Sequence, residues 1–210
     1  GNREMVRQHV PEMAQASYFG HAGNTGDAVI WGMELGAACA DMGAYQGHGS
    51  IADPHAVLIT WALMMEGGIQ VNANGLRFSN EHTGYSEHAA QLLQQPSGFG
   101  WNIYDQRIHE LGLQFEDYRL AQSVGAIRKA DSVEELAILT ELPLASLANT
   151  LNKCREMAGG NASDPYGRNF VSKPALKPPF FAIRVTGALL HTQGGLVIDA
   201  SGRVLRPDRT

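Results

Sequence analysis

The spacing of hydrophobic residues predicts two helices in the second half of the chain. Ser132 and Glu135 form an S-x-x-E capping box ahead of the apolar run "LAILTEL", which predicts a helix that begins there. Pro143 predicts the start of the next helix, because Pro suits a first helical turn and leucines follow at helical spacing. The glycine pair 159–160 predicts the end of that helix.

The first half of the chain predicts shorter or less regular helices. Residues 3–16 carry a helical pattern that Pro11 interrupts. The stretch Thr25-Gly26-Asp27 predicts a glycine turn with a capping aspartate, followed by an apolar helix over 28–42. This loop-into-helix form suits an anion cradle, although an ordinary capped helix has the same pattern. Residues 56–66 are apolar enough for a buried helix.

Alternating apolar residues bounded by turn residues predict strands between these helices. Residues 99–106 predict a single strand, residues 44–51 predict an extended, glycine-rich segment, and residues 67–81 predict a β-hairpin that turns at Asn72–Gly75. Residues 180–205 predict a strand, an irregular polar segment, a strand, a turn and a strand. Because strands and helices are mixed without βαβ regularity, the pattern predicts an α+β fold.

Composition and charge narrow the classes of function. The 210 residues are 44% apolar and 18% charged, with a net charge of −5. Since phosphate binding needs clustered Lys and Arg, we expect no nucleic-acid partner. The sequence has no uninterrupted run of 18 apolar residues, so we expect no membrane span. Because no charged and then apolar leader opens the chain, we expect a cytoplasmic location. Cys39 and Cys154, both on predicted helices, are interpreted as reduced and buried.

The short motifs of metal and nucleotide chemistry do not occur in the sequence. None of the eight histidines forms H-x-H or H-E-x-x-H, and there is no C-x-x-C, so no metal site is predicted. The P-loop, G-x-S-x-G and a complete G-x-G-x-x-G are also missing. The sequence therefore predicts no dinucleotide-binding βαβ unit within this chain.

Five segments, in order along nearly the whole chain, carry a family resemblance. They are "NTGDAVIWGMELGA", "GGIQVNANGLRFSNE", "WNIYDQ", "ADSVEELA" with "LANTLNKC", and "PPFFAIRVTGALLHTQGGLVIDASGRVLRPD". Together they resemble FAD-dependent oxidoreductases of the fumarate reductase/succinate dehydrogenase flavoprotein type, a group that includes 3-ketosteroid dehydrogenases. The resemblance implies hydride exchange between flavin N5 and a small carboxylate or ketone substrate.

The resemblance also implies a domain organisation. Residues 1–50 would be a flanking piece of the FAD-binding domain, 51–178 would form a substrate-capping domain, and 179–210 would return a β segment to the FAD-binding domain. On this interpretation the chain is an internal fragment that lacks both halves of the Rossmann-like unit. We therefore expect FAD in the full-length protein, and neither bound FAD nor activity in the fragment.

The resemblance assigns the candidate site residues by position. Thr25, Gly26 and Asp27 match a segment that helps to hold the FAD. The stretch "HTQGG" matches a segment that approaches the flavin ring, which places His191 and Thr192 beside substrate and ring. Gly194 and Gly195 would let the backbone come close to that ring. Without the resemblance, "HTQGG" predicts only a glycine-rich turn with a solvated histidine.

The remaining assignments include departures from the family pattern. His48 matches a histidine that binds a substrate carboxylate, although Gly49 stands where the family usually has proline. Glu81 matches a glutamate of proton delivery, but the arginine expected three residues later falls on Gly84. His109 occupies the position of the arginine that donates the proton, with Arg107 two residues earlier.

These departures leave several functions open. His109 has a reference pKa suited to an acid or a base, and a surface position on a helix is an equal alternative. A substrate other than fumarate fits the departures better. The alternatives are a non-catalytic binding module with an exposed apolar patch, and a ketosteroid-type dehydrogenase that would use tyrosines, for which Tyr45, Tyr85 and Tyr104 are available. The expected partner is a small-molecule substrate, and the electron partner is not indicated.

Overall fold

The computed structural model describes all 210 residues, which form eight α-helices and nine β-strands. The helices are α1 (Arg3–His9), α2 (Asp27–Glu34), α3 (Ala62–Met65), α4 (Tyr85–Leu93), α5 (Gln106–Gly112), α6 (Glu116–Ser123), α7 (Val133–Thr140) and α8 (Leu144–Ala158). The strands are β1 (Ser17–Tyr18), β2 (Cys39–Ala40), β3 (Tyr45–Ala52), β4 (Val57–Leu58), β5 (Ile69–Asn72), β6 (Phe99–Asp105), β7 (Ile127–Ala130), β8 (Phe180–Thr192) and β9 (Gly195–Leu196). The predicted α+β class is confirmed. No helix combines the length and the apolar character that crossing a bilayer requires.

Local sequence signals set the bounds of α7 and α8 as predicted. The Ser132 hydroxyl accepts the backbone N–H of Glu135 at 3.1 Å, and the Glu135 carboxylate accepts the N–H of Asp131 at 2.7 Å. This is a capping box displaced by one residue, because the reciprocal bond reaches the residue before the cap. Helix α8 begins directly after Pro143 and ends at Gly159.

Several boundary predictions were wrong. Helix α2 ends at Glu34 instead of reaching residue 42, because Gly36 adopts a left-handed φ of +85° and Cys39 pairs with Leu196 in a small sheet. Cys39 is therefore on a strand, whereas Cys154 is on a helix, as predicted. Within 56–66, only Ala62–Met65 is α-helical.

Non-local pairing explains the other differences. The turn Asn72–Gly75 forms and the Asn72 N–H donates to the Leu76 carbonyl at 2.9 Å, but residues 76–78 do not continue as a strand, and the strand partner of β5 is β6. The polar residues His191 and Thr192 continue β8 where an irregular segment was predicted. The last predicted strand is reduced to a single bridge between Ile198 and Val204.

The chain divides into two compact units, each described here by itself. The central unit, His48–Gly187, is built on a mixed sheet in which β8 pairs antiparallel with β6 along one edge and with β7 over residues 180–183. Alternate residues of β8 face opposite sides of this sheet. Phe181 and Ile183 enter one apolar core with α5 and α6, and Ala182 enters a second core with α7 and α8.

The terminal unit comprises Gly1–Gly47 and Ala188–Thr210. Strand β1 pairs parallel with the end of β8, with Ser17 opposite Ala188. Strands β2 and β9 form a two-stranded antiparallel sheet. Helix α2 packs closely on β9, since a side chain at Gly32 would meet Leu196 Cδ2 at 2.6 Å.

Candidate functional site

A cavity of about 270 Å³ in the terminal unit brings together residues from three predicted segments. Its walls include Gly26 at the start of α2, His191 and Thr192 at the end of β8, and Gly194. His191 and Thr192 are exposed, so both side chains are accessible. The remaining walls come largely from α1 and Tyr18, so the lining is mainly apolar, with polar groups from Asn2, His9 and Asn24 as well as from the end of β8.

The start of α2 lacks a side-chain cap. Gly26 is the capping residue, with a left-handed φ of +86°, and a side chain there would meet Met5 Sδ at 2.6 Å. The prediction that Asp27 caps the helix was wrong, because Asp27 is its first helical residue. The N–H groups of the first turn therefore have no side-chain acceptor, a condition that favours an anionic or carbonyl acceptor from outside the helix.

Gly194 and Gly195 have different surroundings. A side chain at Gly194 would collide with the backbone carbonyl of Asp41 and meet the Met42 nitrogen at 2.6 Å. Gly194 is thus required by the fold itself, a reason that the sequence did not reveal. A side chain at Gly195 would meet nothing within 4 Å. The fold therefore does not require glycine at 195, and the space beside it is open to a group from outside the chain.

Glu81 lies in a charge cluster of the central unit that is closed to solvent. Its carboxylate accepts hydrogen bonds from Arg77 Nε at 2.8 Å, Arg77 Nη2 at 2.7 Å and Arg168 Nη1 at 2.9 Å. It also accepts the backbone N–H of Gln70 at 3.1 Å. Asp164 binds the opposite side of the Arg77 guanidinium at 2.6 Å. Two cations therefore face two carboxylates, and the cluster has no net charge.

This environment fixes the protonation state of Glu81. Burial alone would raise the pKa of the carboxyl group, but the hydrogen bonds and charge of Arg77, with the charge of Arg168, outweigh it and lower the pKa to about 2. Glu81 is thus a carboxylate near neutral pH. It can accept a proton or orient a cation, but it holds no proton to give.

His109 and Arg107 lie on α5, and neither is bonded to Glu81. Arg107 Nη2 donates to the backbone carbonyl of Glu66 at 2.8 Å. The His109 ring stacks on Phe181 with centroids 4.2 Å apart and planes 3° from parallel, and its Nδ1 lies 2.8 Å from the Tyr118 hydroxyl. Partial burial lowers the pKa of His109. His109 is thus half-buried on α5, with its ring packed against the core.

His48 is buried within β3 at the start of the central unit, between aromatic rings. Its ring stacks on Tyr85 at 5.0 Å and meets Trp61 edge-on at 6.1 Å. Its Nδ1 accepts the backbone N–H of Ser50 at 3.2 Å, which leaves a proton on Nε2 in the neutral ring. Burial lowers the pKa of His48 to about 4, so it is a neutral donor near pH 7 and not a cation.

The sequence interpretation missed the partners of these residues. Arg77 stands four residues before Glu81, a spacing that could have been noticed. Arg168 and Asp164 come from a loop far along the chain and gave no local signal. The same applies to Tyr118, which contacts His109 from the following helix. Thr25 and Asp27 are exposed and flank the cavity-lining Gly26 in sequence.

Comparison with known proteins identifies the family. The family described as "FAD binding domain" matches residues 1–210, and the chain belongs to it. The chain is 28% identical to a probable fumarate reductase, Ifc3, of Shewanella frigidimarina, over 97% of this chain and 34% of that protein. It is also 28% identical to a 3-oxosteroid 1-dehydrogenase of Mycolicibacterium smegmatis, over 90% of this chain and 39% of that protein.

A solved structure shares the fold at similar identity. The open conformation of a flavocytochrome c3 fumarate reductase superposes with a TM-score of 0.80 at 27% identity, covering 100% of this chain and 36% of that one. The chain thus spans about a third of the length of these relatives. The predicted resemblance to the fumarate reductase type of flavoprotein is confirmed.

Proposed function

We propose that this chain is part of an FAD-dependent oxidoreductase that exchanges hydride between flavin N5 and a small carboxylate or ketone. The observation that carries the proposal is the family match over all 210 residues, together with the cavity that brings Gly26, His191, Thr192 and Gly194 together. The terminal unit would belong to the FAD-binding domain, and the central unit would be the substrate-capping domain.

The residues of the terminal unit fit a flavin cofactor. The segment Thr25–Asp27 leads into the first turn of α2, whose N–H donors have no side-chain cap, and Gly195 leaves open space where a side chain would stand. These residues, with Gly194, would hold the FAD. When bound, FAD supplies the hydride-transfer chemistry that no side chain provides.

The residues proposed for substrate binding favour a substrate with little negative charge. His48 is a neutral N–H donor, so the positive charge among these residues rests on Arg107 alone, which donates to the Glu66 backbone carbonyl and lies 4.0 Å from the Glu66 carboxylate. Fumarate carries two carboxylates, and burying them calls for cationic partners. A ketone or a monocarboxylate fits better. In the terminal unit, His191 and Thr192 are the residues proposed to contact substrate. In the central unit, Glu81 would orient Arg77 and Arg168 or accept a proton.

The flavin content of a longer protein tests this proposal. The protein that includes the rest of the family's length, purified without added cofactor, is expected to show oxidised-flavin absorbance, whereas the 210-residue chain is expected to show none. Gly195→Ala in the longer protein should reduce flavin content without changing the thermal unfolding of the flavin-free form. A correctly folded longer protein that carries no flavin and takes none up would refute the assignment.

A ketosteroid dehydrogenase is the second candidate, favoured by the 3-oxosteroid relative. That reaction would use tyrosine hydroxyls for proton transfer. Tyr104 is fully buried and bonded to Tyr118, so this role would fall to Tyr45 or Tyr85. Once flavin is demonstrated, bleaching by 3-ketosteroids under anaerobic conditions, compared with bleaching by small carboxylates, separates the two substrate classes. A flavin-free interaction module is the remaining outcome, for which the exposed Trp31 and Leu35 of the terminal unit would supply the apolar surface.

A further inference from the structure

A buried chain of hydrogen bonds ends at His109. The Tyr104 and Tyr118 hydroxyl oxygens are 2.7 Å apart, and the Tyr118 oxygen is 2.8 Å from His109 Nδ1. Both tyrosines are fully buried, and Tyr104 makes no other side-chain hydrogen bond. His109 itself is only half-buried, and its Nε2 makes no hydrogen bond within the chain.

The number of hydroxyl hydrogens determines which group donates and which accepts at each hydrogen bond between Tyr104, Tyr118 and His109. Burial raises the pKa of both tyrosines, so each hydroxyl keeps its proton. If Tyr104 donates to Tyr118, and Tyr118 donates to His109 Nδ1, every hydroxyl hydrogen has an acceptor. If His109 Nδ1–H donates instead, Tyr118 must turn to Tyr104, and the Tyr104 hydrogen is left buried without an acceptor. An orphaned buried donor costs about 1–3 kcal/mol, so the first direction is preferred.

We propose that the tyrosine pair holds His109 as the neutral tautomer with its proton on Nε2, and that this N–H is a hydrogen-bond donor to a substrate oxygen. The donor role rests on the proposed function, whereas the tautomer does not. Tyr118 is then a positioning residue, and His109 is a polarising donor where the family pattern has a proton-donating arginine. If the neutral His109 gave up its Nε2 proton, the ring would become an anion, or it would take the Tyr118 proton and leave a buried phenolate. Both are costly, so another group must supply the proton to the substrate.

The charges around the ring allow this assignment. Glu110, on α5 itself, favours the imidazolium, and Lys129, on β7, opposes it. Phe181 on β8 covers one ring face and contributes no charge. A protonated Nδ1 would have to donate to Tyr118, which already accepts from Tyr104, and the Tyr118 hydrogen would then lack an acceptor. The two phenols, like burial, therefore favour the neutral ring of His109 and lower its pKa.

The tautomer can be read from the nitrogen shifts of the ring. In the 210-residue chain with ¹⁵N-labelled histidine, His109 is assigned by its loss in His109→Gln. Long-range ¹H–¹⁵N spectra at neutral pH are expected to show a pyrrole-type Nε2 and a pyridine-type Nδ1. The opposite pattern, or a charged ring at neutral pH, would overturn the proposal.

Two matched substitutions test the cause. Tyr118→Phe removes the donor to Nδ1, so the tautomers should mix and the His109 pKa should rise by up to about one unit, the equivalent of one neutral hydrogen bond. Tyr104→Phe removes one phenol oxygen from the same core but keeps the Tyr118 bond, so the tautomer should stay on Nε2–H. Equal spectra for wild type and Tyr118→Phe would show that Tyr118 does not set the tautomer of His109, which would overturn the proposal.

Separate controls distinguish a folding defect from a failure of the proposed function. If Tyr118→Phe fails to fold, as its amide spectrum would show, the wild-type and Tyr104→Phe spectra still decide the tautomer. A longer protein without flavin would refute the proposed function, yet it would leave the His109 tautomer as measured. The two failures are therefore distinguishable.

Discussion

Replacing Glu81 by Gln should be among the most destabilising single-atom changes in the central unit. The substitution keeps the shape of the side chain but removes its charge and turns one oxygen acceptor into an N–H donor that faces an arginine. The cluster of Arg77, Arg168, Glu81 and Asp164 then changes from no net charge to +1. All four side chains are at most 5% exposed, so solvent cannot compensate.

The expected cost follows from that burial. Breaking a buried ion pair by removing one partner costs about 3–5 kcal/mol, because the remaining charge is left desolvated. Free energies of unfolding of single domains are about 5–15 kcal/mol, so Glu81→Gln would remove a large share of the free energy of unfolding of the central unit. Urea unfolding followed by the fluorescence of Trp61 is the assay, since Trp61 Nε1 donates to the Glu81 backbone carbonyl at 3.0 Å.

The same substitution at Glu66 is the matched control. Its carboxylate pairs with Lys173 Nζ at 2.8 Å but is 40% exposed, so Glu66→Gln should cost about 0–1 kcal/mol. The double variant Glu81→Gln with Arg168→Met restores the balance of charge and should cost less than the sum of the single changes. If Glu81→Gln costs no more than Glu66→Gln, the cluster is hydrated and the reasoning fails.

Two further predictions concern the glycine pair and the buried histidines. Gly194→Ala should destabilise by about 1–3 kcal/mol through collision with the Asp41 backbone, whereas Gly195→Ala should change stability by less than about 0.5 kcal/mol; equal thermal shifts would contradict this. His48 and His88 each have a pKa of about 4 against an unperturbed 6.5, so the unfolded chain binds more protons between those values. Acidification from pH 7 to 5 should therefore cost about 2 kcal/mol for each histidine, measured by urea midpoints, and a flat profile would show that the rings are hydrated.

The sequence predicted elements whose signals are local and missed those that depend on distant partners. Helix α8 was predicted at both ends because Pro143 and the glycine pair act on neighbouring backbone. Helix α2 was predicted too long, since β2 becomes a strand only through pairing with β9, more than 150 residues later. The hairpin at 67–81 was predicted from local signals, whereas the strand partner of β5 is the distant β6 and only Asn72 bonds back to Leu76.

The candidate site shows the same division. The family pattern identified Glu81, His48 and His109 as positions, because motifs are read from consecutive residues. Their protonation states depend on side chains from elsewhere, such as Arg168 at Glu81 and Tyr118 at His109. His48 illustrates the limit, since the family pattern assigns it to a substrate carboxylate and only its burial in the fold makes the ring neutral.

The charge cluster also has a consequence for the order of folding. Arg77 bonds Asp164, and Glu81 bonds Arg168, each across 87 residues of chain. Closing so long a loop is entropically slow, and desolvating the ions is favourable only once all four charges meet. The loop carrying Asp164 and Arg168 is then the last segment of the central unit to dock and the first to detach. Weakening the cluster would accelerate unfolding far more than it slows folding, so its role is to set the lifetime of the native state.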